Sequence, residues 1–231
     1  MKKIYPYTNS SLLIACCLVY VTGCSNNSSD TSPNPVTKDI LRKLHFSIEG
    51  YQETHKQIPS AATYDPTTGQ PLLSWRVIIL GDMEAENVRK MFKMDQPWDS
   101  EQNLASLTIS PNLYSSPEQP ITNQTPFQVF VGKGTPFEKD LVVRFADIRA
   151  ADGLANTILI AEAKTQVTWT KPHDIAYAPD QPLPPLGKSR GTGFHAVMAD
   201  GSVRFFKKDT DEKIIRAMVT WKGGEEVPKE K

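Results

Sequence analysis

The polar residues with the clearest potential for chemistry lie beside two Asp-Gly pairs and inside one apolar run. They are Asp152, Asn156, Glu162, Asp200 and Gly201. Carboxylate and amide oxygens grouped in this way can line a binding cleft or hold a cation. Turn formation explains the same residues, because Asp-Gly favours tight turns and Asn bonds to its own backbone. We therefore predict turns at both Asp-Gly pairs, with a binding role as the alternative.

Glu162 differs from the others because it lies within the otherwise apolar strand pattern of 156–163. A buried carboxylate needs a charged or hydrogen-bonding partner. By residue type, Arg76 and Arg204 are the predicted partners, and a structural ion pair is favoured over a functional carboxylate. A hydrolase hypothesis instead pairs Glu162 with Asp200, which requires the two carboxylates to lie within about 10 Å of each other.

Residues for other catalytic chemistry are scattered. The four histidines, His45, His55, His173 and His195, show no metal-ligand spacing, and each is predicted to lie at the surface or at its boundary. No serine stands in a Gly-x-Ser-x-Gly motif, so nucleophilic catalysis lacks a candidate. The sequence therefore predicts a protein that is not an enzyme and that binds no metal or cofactor.

The N-terminal segment predicts export. Two lysines precede a short apolar run at 11–21, and Val-Thr-Gly-Cys closes the segment at Cys24. That run is too short to span a bilayer as a helix. The ending matches a bacterial lipobox, so we expect residues 1–23 to be a lipoprotein signal peptide and Cys24 to carry acyl chains such as palmitate. Two or more chains give stable anchoring, and Ser25 favours the outer membrane over the inner, facing the periplasm or the surface.

Net charge and cysteine content limit the possible binding partners and the possible disulfide bonds. Removing residues 1–23 removes two of the 26 basic residues and none of the 26 acids, so the remainder carries a net charge near −2. Such a balance does not favour nucleic acid. All three cysteines lie at or before Cys24, which excludes a disulfide framework. The remaining chain is long enough for one domain with a core.

Helical and strand patterns follow one another along this remainder. Residues 24–36 are rich in Ser, Asn and Pro, which is typical of a flexible tether. From 37 to 56 apolar residues recur at helical spacing, with Thr37 as the predicted cap. Residues 72–83 fit a buried helix or a strand equally well. A strand is predicted at 127–131, followed by the one that contains Glu162.

The clearest local structure is a hairpin at 193–207. Asp200-Gly201 suits a two-residue turn, which places Met198 opposite Val203. One face then collects the apolar residues Phe194, Ala196, Met198, Val203 and Phe205. We expect the N-terminal helix, or a last helix that opens near Asp209, to cover this face.

These elements predict an α+β domain at 37–225. In it an N-terminal helix and short helices pack on an antiparallel sheet of about four strands, with a C-terminal hairpin and a final helix. Residues 226–231 form a charged tail. In the proline-rich connection before the hairpin, Trp169 is the main candidate for contact with a partner. Trp75 and Trp98 are predicted to lie in the core.

Six segments resemble the domain-of-unknown-function family 1559 (DUF1559), whose members occur in planctomycete-type bacteria and are described as pseudopilin-like. They are LHFSIEGYQETHKQIPSA, GQPLLSWRVIIL, DQPWDS, DGLANTILIAEA, WTKP and ADGSVRF. The resemblance implies a pseudopilin-like fold and envelope or pseudopilin-type partners. Members typically begin with a long apolar helix, whose apolar half is replaced here by the lipobox and tether. Members often carry a histidine where this chain has Arg190 and an asparagine where it has His195.

The sequence as a whole predicts a lipid-anchored protein of the cell envelope with a non-catalytic structural or binding role. Lipidated Cys24 would provide the membrane contact. A surface-displayed module that binds a glycan or a peptide is the alternative, and the hydrolase is a third hypothesis.

Overall fold

The computed structural model describes residues 35–107, 114, 122–187 and 191–224. Its contacts separate Met1–Asp30 from Thr31–Lys231, and the described residues all belong to the second unit. The predicted signal peptide, Cys24, most of the tether and the charged tail lie outside the described residues.

Helices and strands alternate irregularly along the described part of the chain. The helices are α1 Pro35–His55, α2 Trp75–Ile78, α3 Glu86–Arg89, α4 Glu101–Leu107, α5 Phe145–Ala150 and α6 Glu212–Val219. The strands are β1 Ala62–Tyr64, β2 Pro71–Ser74, β3 Gln124–Gln128, β4 Phe130–Gly132, β5 Ile158–Thr168, β6 Ile175–Tyr177, β7 Gly193–Met198 and β8 Val203–Lys207. Short 3₁₀ segments lie at Ile79–Met83 and Leu154–Asn156.

The main sheet is antiparallel with the strand order β3-β5-β7-β8. The predicted α+β fold with an antiparallel sheet of about four strands is confirmed. Other features were not predicted, among them the small antiparallel pair of β1 with β2. A small parallel pair joins β4 to β6, and β6 lies inside the proline-rich connection. The strand predicted at 127–131 is divided between β3 and β4, because the Val129 N–H donates to the Asp174 carboxylate at 3.0 Å rather than to a neighbouring strand.

Helix α1 covers one face of this sheet. Leu41, Leu44 and Ile48 are fully buried at the helical spacing that the sequence shows. The helix already includes Pro35, so Thr37 lies inside it and is not its cap, contrary to the prediction. It ends as predicted near Lys56, which adopts a left-handed conformation with φ of 61°.

The ambiguous stretch 72–83 contains both kinds of structure. Strand β2 ends at Ser74, whose hydroxyl accepts a hydrogen bond from the Arg76 N–H at 3.3 Å and caps α2. The 3₁₀ segment Ile79–Met83 continues the chain. The apolar run is therefore buried first as a strand and then as a helix.

The hairpin forms, but its predicted register is wrong by one residue. Val203 lies opposite Val197 instead of Met198. A two-residue type I′ turn needs positive φ at both central residues, whereas only Gly201 of the pair has one, at 81°. The loop therefore has three residues, with the Gly201 N–H donating to the Met198 carbonyl at 3.0 Å.

This register changes which residues share a face. Phe206 takes the place predicted for Phe205 and stacks on Phe194, with ring centroids 5.0 Å apart. Together with Ala196 and Met198 these rings pack against α6. The opposite face, which carries Val197, Ala199 and Val203, packs in the cluster that contains the α1 residues. The sheet is thus covered on both faces, and the predicted apolar face is corrected accordingly.

Replacing Gly201 by alanine should destabilise the protein by about 1–2 kcal/mol, because a side chain at this φ is strained. The new Cβ would also lie 3.1 Å from the ring of His45. Gly224→Ala is the matched control, since φ is 70° there and no described residue lies within 4 Å of the new Cβ. Urea unfolding should show the larger loss for Gly201. Equal losses would remove the His45 contact as a cause, and an unchanged midpoint for Gly201→Ala would contradict the turn assignment.

Candidate functional site

Asp152 and Asn156 form hydrogen bonds within and around one turn, and those of Asp152 reach the C-terminal end of the described residues. The Asp152 carboxylate accepts hydrogen bonds from the N–H groups of Gly223 and Gly224 at 2.8 and 3.1 Å. The Asn156 side chain donates to the Asp152 carbonyl at 3.0 Å, and Gly153 between them has a φ of 91°. These contacts are the turn chemistry that the sequence suggests, and they engage both side chains structurally.

Glu162 is buried, but its predicted partners are wrong. One of its carboxylate oxygens lies 2.7 Å from Nδ1 of His195 and accepts the His195 backbone N–H at 2.8 Å. Arg76 binds a different acid. The pair therefore joins β5 to β7 inside the sheet. Among the described residues, the other oxygen of Glu162 and Nε2 of His195 have no hydrogen-bond partner. Arg190, at the position of the family histidine, lies outside the described residues.

Asp200 lies at the surface of the hairpin turn. Its carboxylate accepts bonds from the Ser202 N–H at 2.9 Å and the Ser202 hydroxyl at 2.6 Å. Partial burial acts in the opposite direction, but these bonds lower the pKa of Asp200. His195, which contacts Glu162, stands three residues before the end of β7, roughly 10 Å at strand spacing. Asp200 lies beyond that end, and its carboxylate bonds to Ser202, whereas Glu162 bonds to His195.

Trp169 is not available to a partner, which corrects its prediction as an interaction residue. Its side chain is fully buried, stacked on Tyr114 with ring centroids 5.3 Å apart and edge-on to Phe92 at 5.4 Å. Trp75 is fully buried as predicted, and Trp98 is half-buried at the edge of the same core. Trp169 is therefore a central packing residue.

Two of the four histidines contradict the surface prediction. His195 is buried against Glu162, and His45 is buried with Nε2 donating to the Ala199 carbonyl at 3.0 Å. His55 and His173 are exposed. In the described ranges, no three His, Cys, Asp or Glu side chains are grouped so that they could hold a metal ion.

A buried ion pair organises the interior behind β3. The Arg76 guanidinium donates to the Asp174 carboxylate at 2.6 Å, to the Ser74 hydroxyl at 2.6 Å and to the Phe127 carbonyl at 2.7 Å. Asp174 also accepts from the Trp75 indole at 3.1 Å. Burial raises the pKa of Asp174, and Arg76 together with the hydrogen-bond donors opposes that rise. These hydrogen bonds of Arg76 and Asp174 join separate segments of the fold.

The most suitable site for a ligand is an open cleft of about 510 Å³ beside the C-terminal half of α1. We call it the α1 cleft. Its polar wall is formed by Tyr51, His55, Gln57, Asp82, Glu86 and Arg89. The neighbouring groove beside Phe46 is larger, at about 920 Å³, and more apolar. The α1 cleft therefore differs from it by its concentration of hydrogen-bonding groups.

Aromatic and charged groups in the α1 cleft are held in defined positions. The ring of His55 stacks on Tyr51, with centroids 3.9 Å apart and planes 7° from parallel. Arg89 binds both oxygens of Glu86 at 2.6 and 2.7 Å. The cleft thus presents an aromatic pair on one side and a guanidinium–carboxylate pair on the other.

Several titratable groups of the α1 cleft have shifted pKa values. Burial raises the pKa of Asp82, while His55 and Arg89 oppose the rise. Burial also raises the pKa of Tyr51, and the charge of Asp82 adds to it. The hydrogen bond from Arg89 lowers the pKa of Glu86. Shifted groups of both directions within one cleft are typical of a functional site.

The sequence contained a signal for this cleft that went unused. Tyr51 and His55 continue the buried stripe of α1 with polar aromatic residues, and Asp82 interrupts an apolar run. Polar residues that extend an apolar stripe indicate a lined cavity, but only the tertiary structure brings the two segments together.

In the part of the chain that the structure describes, no helix has the length and apolar character to cross a membrane.

Fold and site together define an α+β protein with a polar cleft beside α1. The family model described as "Protein of unknown function (DUF1559)" matches residues 40–141. This match confirms the resemblance and supports the assignment of the chain to that family. Residues 40–141 include the first three of the six resembling segments and every residue that lines the α1 cleft. No curated protein and no solved structure matches the chain.

Proposed function

We propose that the protein is a lipid-anchored protein of the cell envelope whose domain binds a carbohydrate, without catalysis, in the α1 cleft. The α1 cleft itself is the observation that carries the binding role. It is open, so it can admit one unit of a longer chain, and its volume suits a small ligand or such a unit.

The chemistry of the cleft favours a ligand rich in hydroxyl groups. Gln57 and Asp82 each present two adjacent polar atoms on a planar group, which match neighbouring hydroxyls of a sugar. The stacked rings of Tyr51 and His55 offer an aromatic surface for the apolar face of a sugar ring. A peptide is the second candidate, since Ala62 and Met94 add apolar contacts at the base.

Glycan binding is tested with the full chain on an array of bacterial and plant glycans, followed by titration of the glycan that binds. Asp82→Asn removes a charged acceptor from the cleft and should weaken binding at least tenfold, since hydrogen bonds to charged groups contribute about 1.5–3 kcal/mol. Asp147→Asn on α5 is the control, because Asp147 pairs with Arg144 on the surface and should leave binding unchanged. A glycan that binds Asp82→Asn and the unaltered chain equally would contradict the proposal.

Anchoring rests on the lipobox and tether and is tested separately. Cys24→Ser should remove palmitate labelling and move the protein from the membrane fraction to the supernatant, because no acylated residue remains. Cys17→Ser, inside the apolar run, should leave both unchanged. Globomycin, which blocks lipoprotein signal peptidase, should make the precursor accumulate. If the Cys24→Ser chain stays labelled and membrane-bound, the anchoring proposal is wrong.

A further inference from the structure

A second cavity, distant in sequence from the α1 cleft, lies where the hairpin meets the last helix. It has a volume of about 300 Å³ and is bounded by the 183–186 segment, the start of β7, the end of β8 and α6. We call it the lysine cavity, because Lys164, Lys207 and Lys208 line it. None of the six predicted site residues in the described part of the chain contributes to it.

The charge of the lysine cavity is not balanced within the described residues. No carboxylate there lies within ion-pair distance of Lys164, Lys207 or Lys208. Glu212, the one acid among the described lining residues, is already paired with Arg216 at 2.7 Å and also accepts the Leu183 N–H at 3.4 Å. Three lysines therefore line a cavity in which the one carboxylate among the described residues is paired with Arg216, which favours a positive potential inside it.

The walls of the lysine cavity are apolar and closely packed. Phe194, Ile215 and the prolines of 183–186 line one side. A Cβ on Gly193 would overlap the Phe206 carbonyl, so the backbone at this wall is packed as closely as glycine allows. Hydrogen bonds from Lys164 N to Pro185 O at 3.1 Å and from Lys208 N to Thr192 O at 2.7 Å hold the surrounding segments together.

We propose that the lysine cavity binds a small organic anion, with its carboxylate or phosphate among the three lysines and its apolar body against Phe194 and the prolines. The positive charge selects the anionic group, and the apolar wall selects an apolar body over a hydrated inorganic ion. The volume limits the ligand to a small molecule. This site is independent of the α1 cleft and of anchoring, so its failure would leave the proposed function intact.

Calorimetric titration of the full-length protein with benzoate tests the charge and the apolar body together. A ligand of nine non-hydrogen atoms should bind with a dissociation constant of about 1 mM. Benzamide, which has the same shape and no charge, should bind at least about tenfold more weakly. Benzoate affinity should fall as salt rises from 0.01 to 0.15 M, values at which the screening length is about 30 and 8 Å. Equal binding of benzamide, or no benzoate binding at millimolar concentration, overturns the proposal.

A charge-matched pair of variants locates the binding. Lys207→Gln with Lys208→Gln should weaken benzoate at least about fivefold, because one unit charge at 4 Å in water contributes about that factor. Lys213→Gln with Lys222→Gln changes the net charge equally, and neither residue lines the cavity, so benzoate affinity should not change. Thermal unfolding of both variants verifies that they are folded. Unchanged benzoate binding by the Lys207/Lys208 variant would show that the lysine cavity is not the site.

Discussion

Replacing Arg76 by methionine is expected to lower the free energy of unfolding by about 3–5 kcal/mol, because one partner of a buried ion pair is removed. Both side chains of the pair are almost inaccessible, with exposed fractions of 0% for Arg76 and 2% for Asp174. The change leaves the Asp174 carboxylate without its counter-charge and the Phe127 carbonyl without its guanidinium donors. Urea unfolding followed by circular dichroism measures the loss.

The surface pair Arg144–Asp147 provides the matched control. Its N–O distance is 3.0 Å, but Arg144 is 58% exposed, so Arg144→Met should cost less than about 1 kcal/mol. Adding Asp174→Asn to Arg76→Met should recover part of the loss, because the amide oxygen can still accept the Val129 N–H. If Arg76→Met costs no more than Arg144→Met, the buried pair does not stabilise the fold.

The loss at Arg76 should also depend on pH. Burial already raises the pKa of Asp174, and removing Arg76 removes a charge that opposes the rise. A carboxyl group with a raised folded pKa binds protons more tightly in the folded state, so its contribution to stability falls as pH rises through that pKa. The difference between Arg76→Met and the unaltered protein should therefore be larger at pH 7 than at pH 4.

Trp169→Ala is expected to cost about 3–5 kcal/mol, the usual cost of removing a large aromatic side chain from a core. Trp169 is fully buried, so the surrounding atoms lose contacts that no solvent replaces. Its stacking on Tyr114 and its edge contact with Phe92 are lost together. Thermal unfolding measures the change.

Two further variants distinguish packing from surface recognition at Trp169. Trp169→Phe should cost less than alanine, because it keeps a ring and the indole N–H of Trp169 has no hydrogen-bond partner among the described residues. Trp98→Ala should also cost less, since Trp98 is only half-buried. A Trp169→Ala protein with unchanged stability would contradict the packing role and restore the hypothesis of an interaction residue.

Local sequence patterns predicted the features that depend only on residues close together along the chain. The helical stripe of α1 and the turn at Asp152–Asn156 agree with the structure, because helix periodicity and side-chain turn bonds act over a few residues. The α+β order followed from the same local signals. The family resemblance also came from the sequence, through short segments in a fixed order.

The partner of Glu162 and the burial of Trp169 depend on contacts between segments that are distant in sequence, so the sequence did not predict them. Glu162 pairs with His195 and not with Arg76, because strand order places β7 beside β5 while Arg76 meets Asp174. Trp169 is buried because Phe92 and Tyr114, both distant in sequence, pack on its ring in a segment that looks like a loop in sequence.

The hairpin and the α1 cleft show the physical reason why the sequence alone does not predict such contacts. At the hairpin the sequence predicts the position of the turn. The φ angle of Asp200, which is not positive, gives a three-residue loop instead of a two-residue loop. The loop length in turn determines which face each residue of β8 occupies. The α1 cleft needs Tyr51 and Asp82, thirty-one positions apart in sequence, in the lining of one cavity. Sequence periodicity determines which side of an element is apolar; only tertiary packing determines which side of another element it meets.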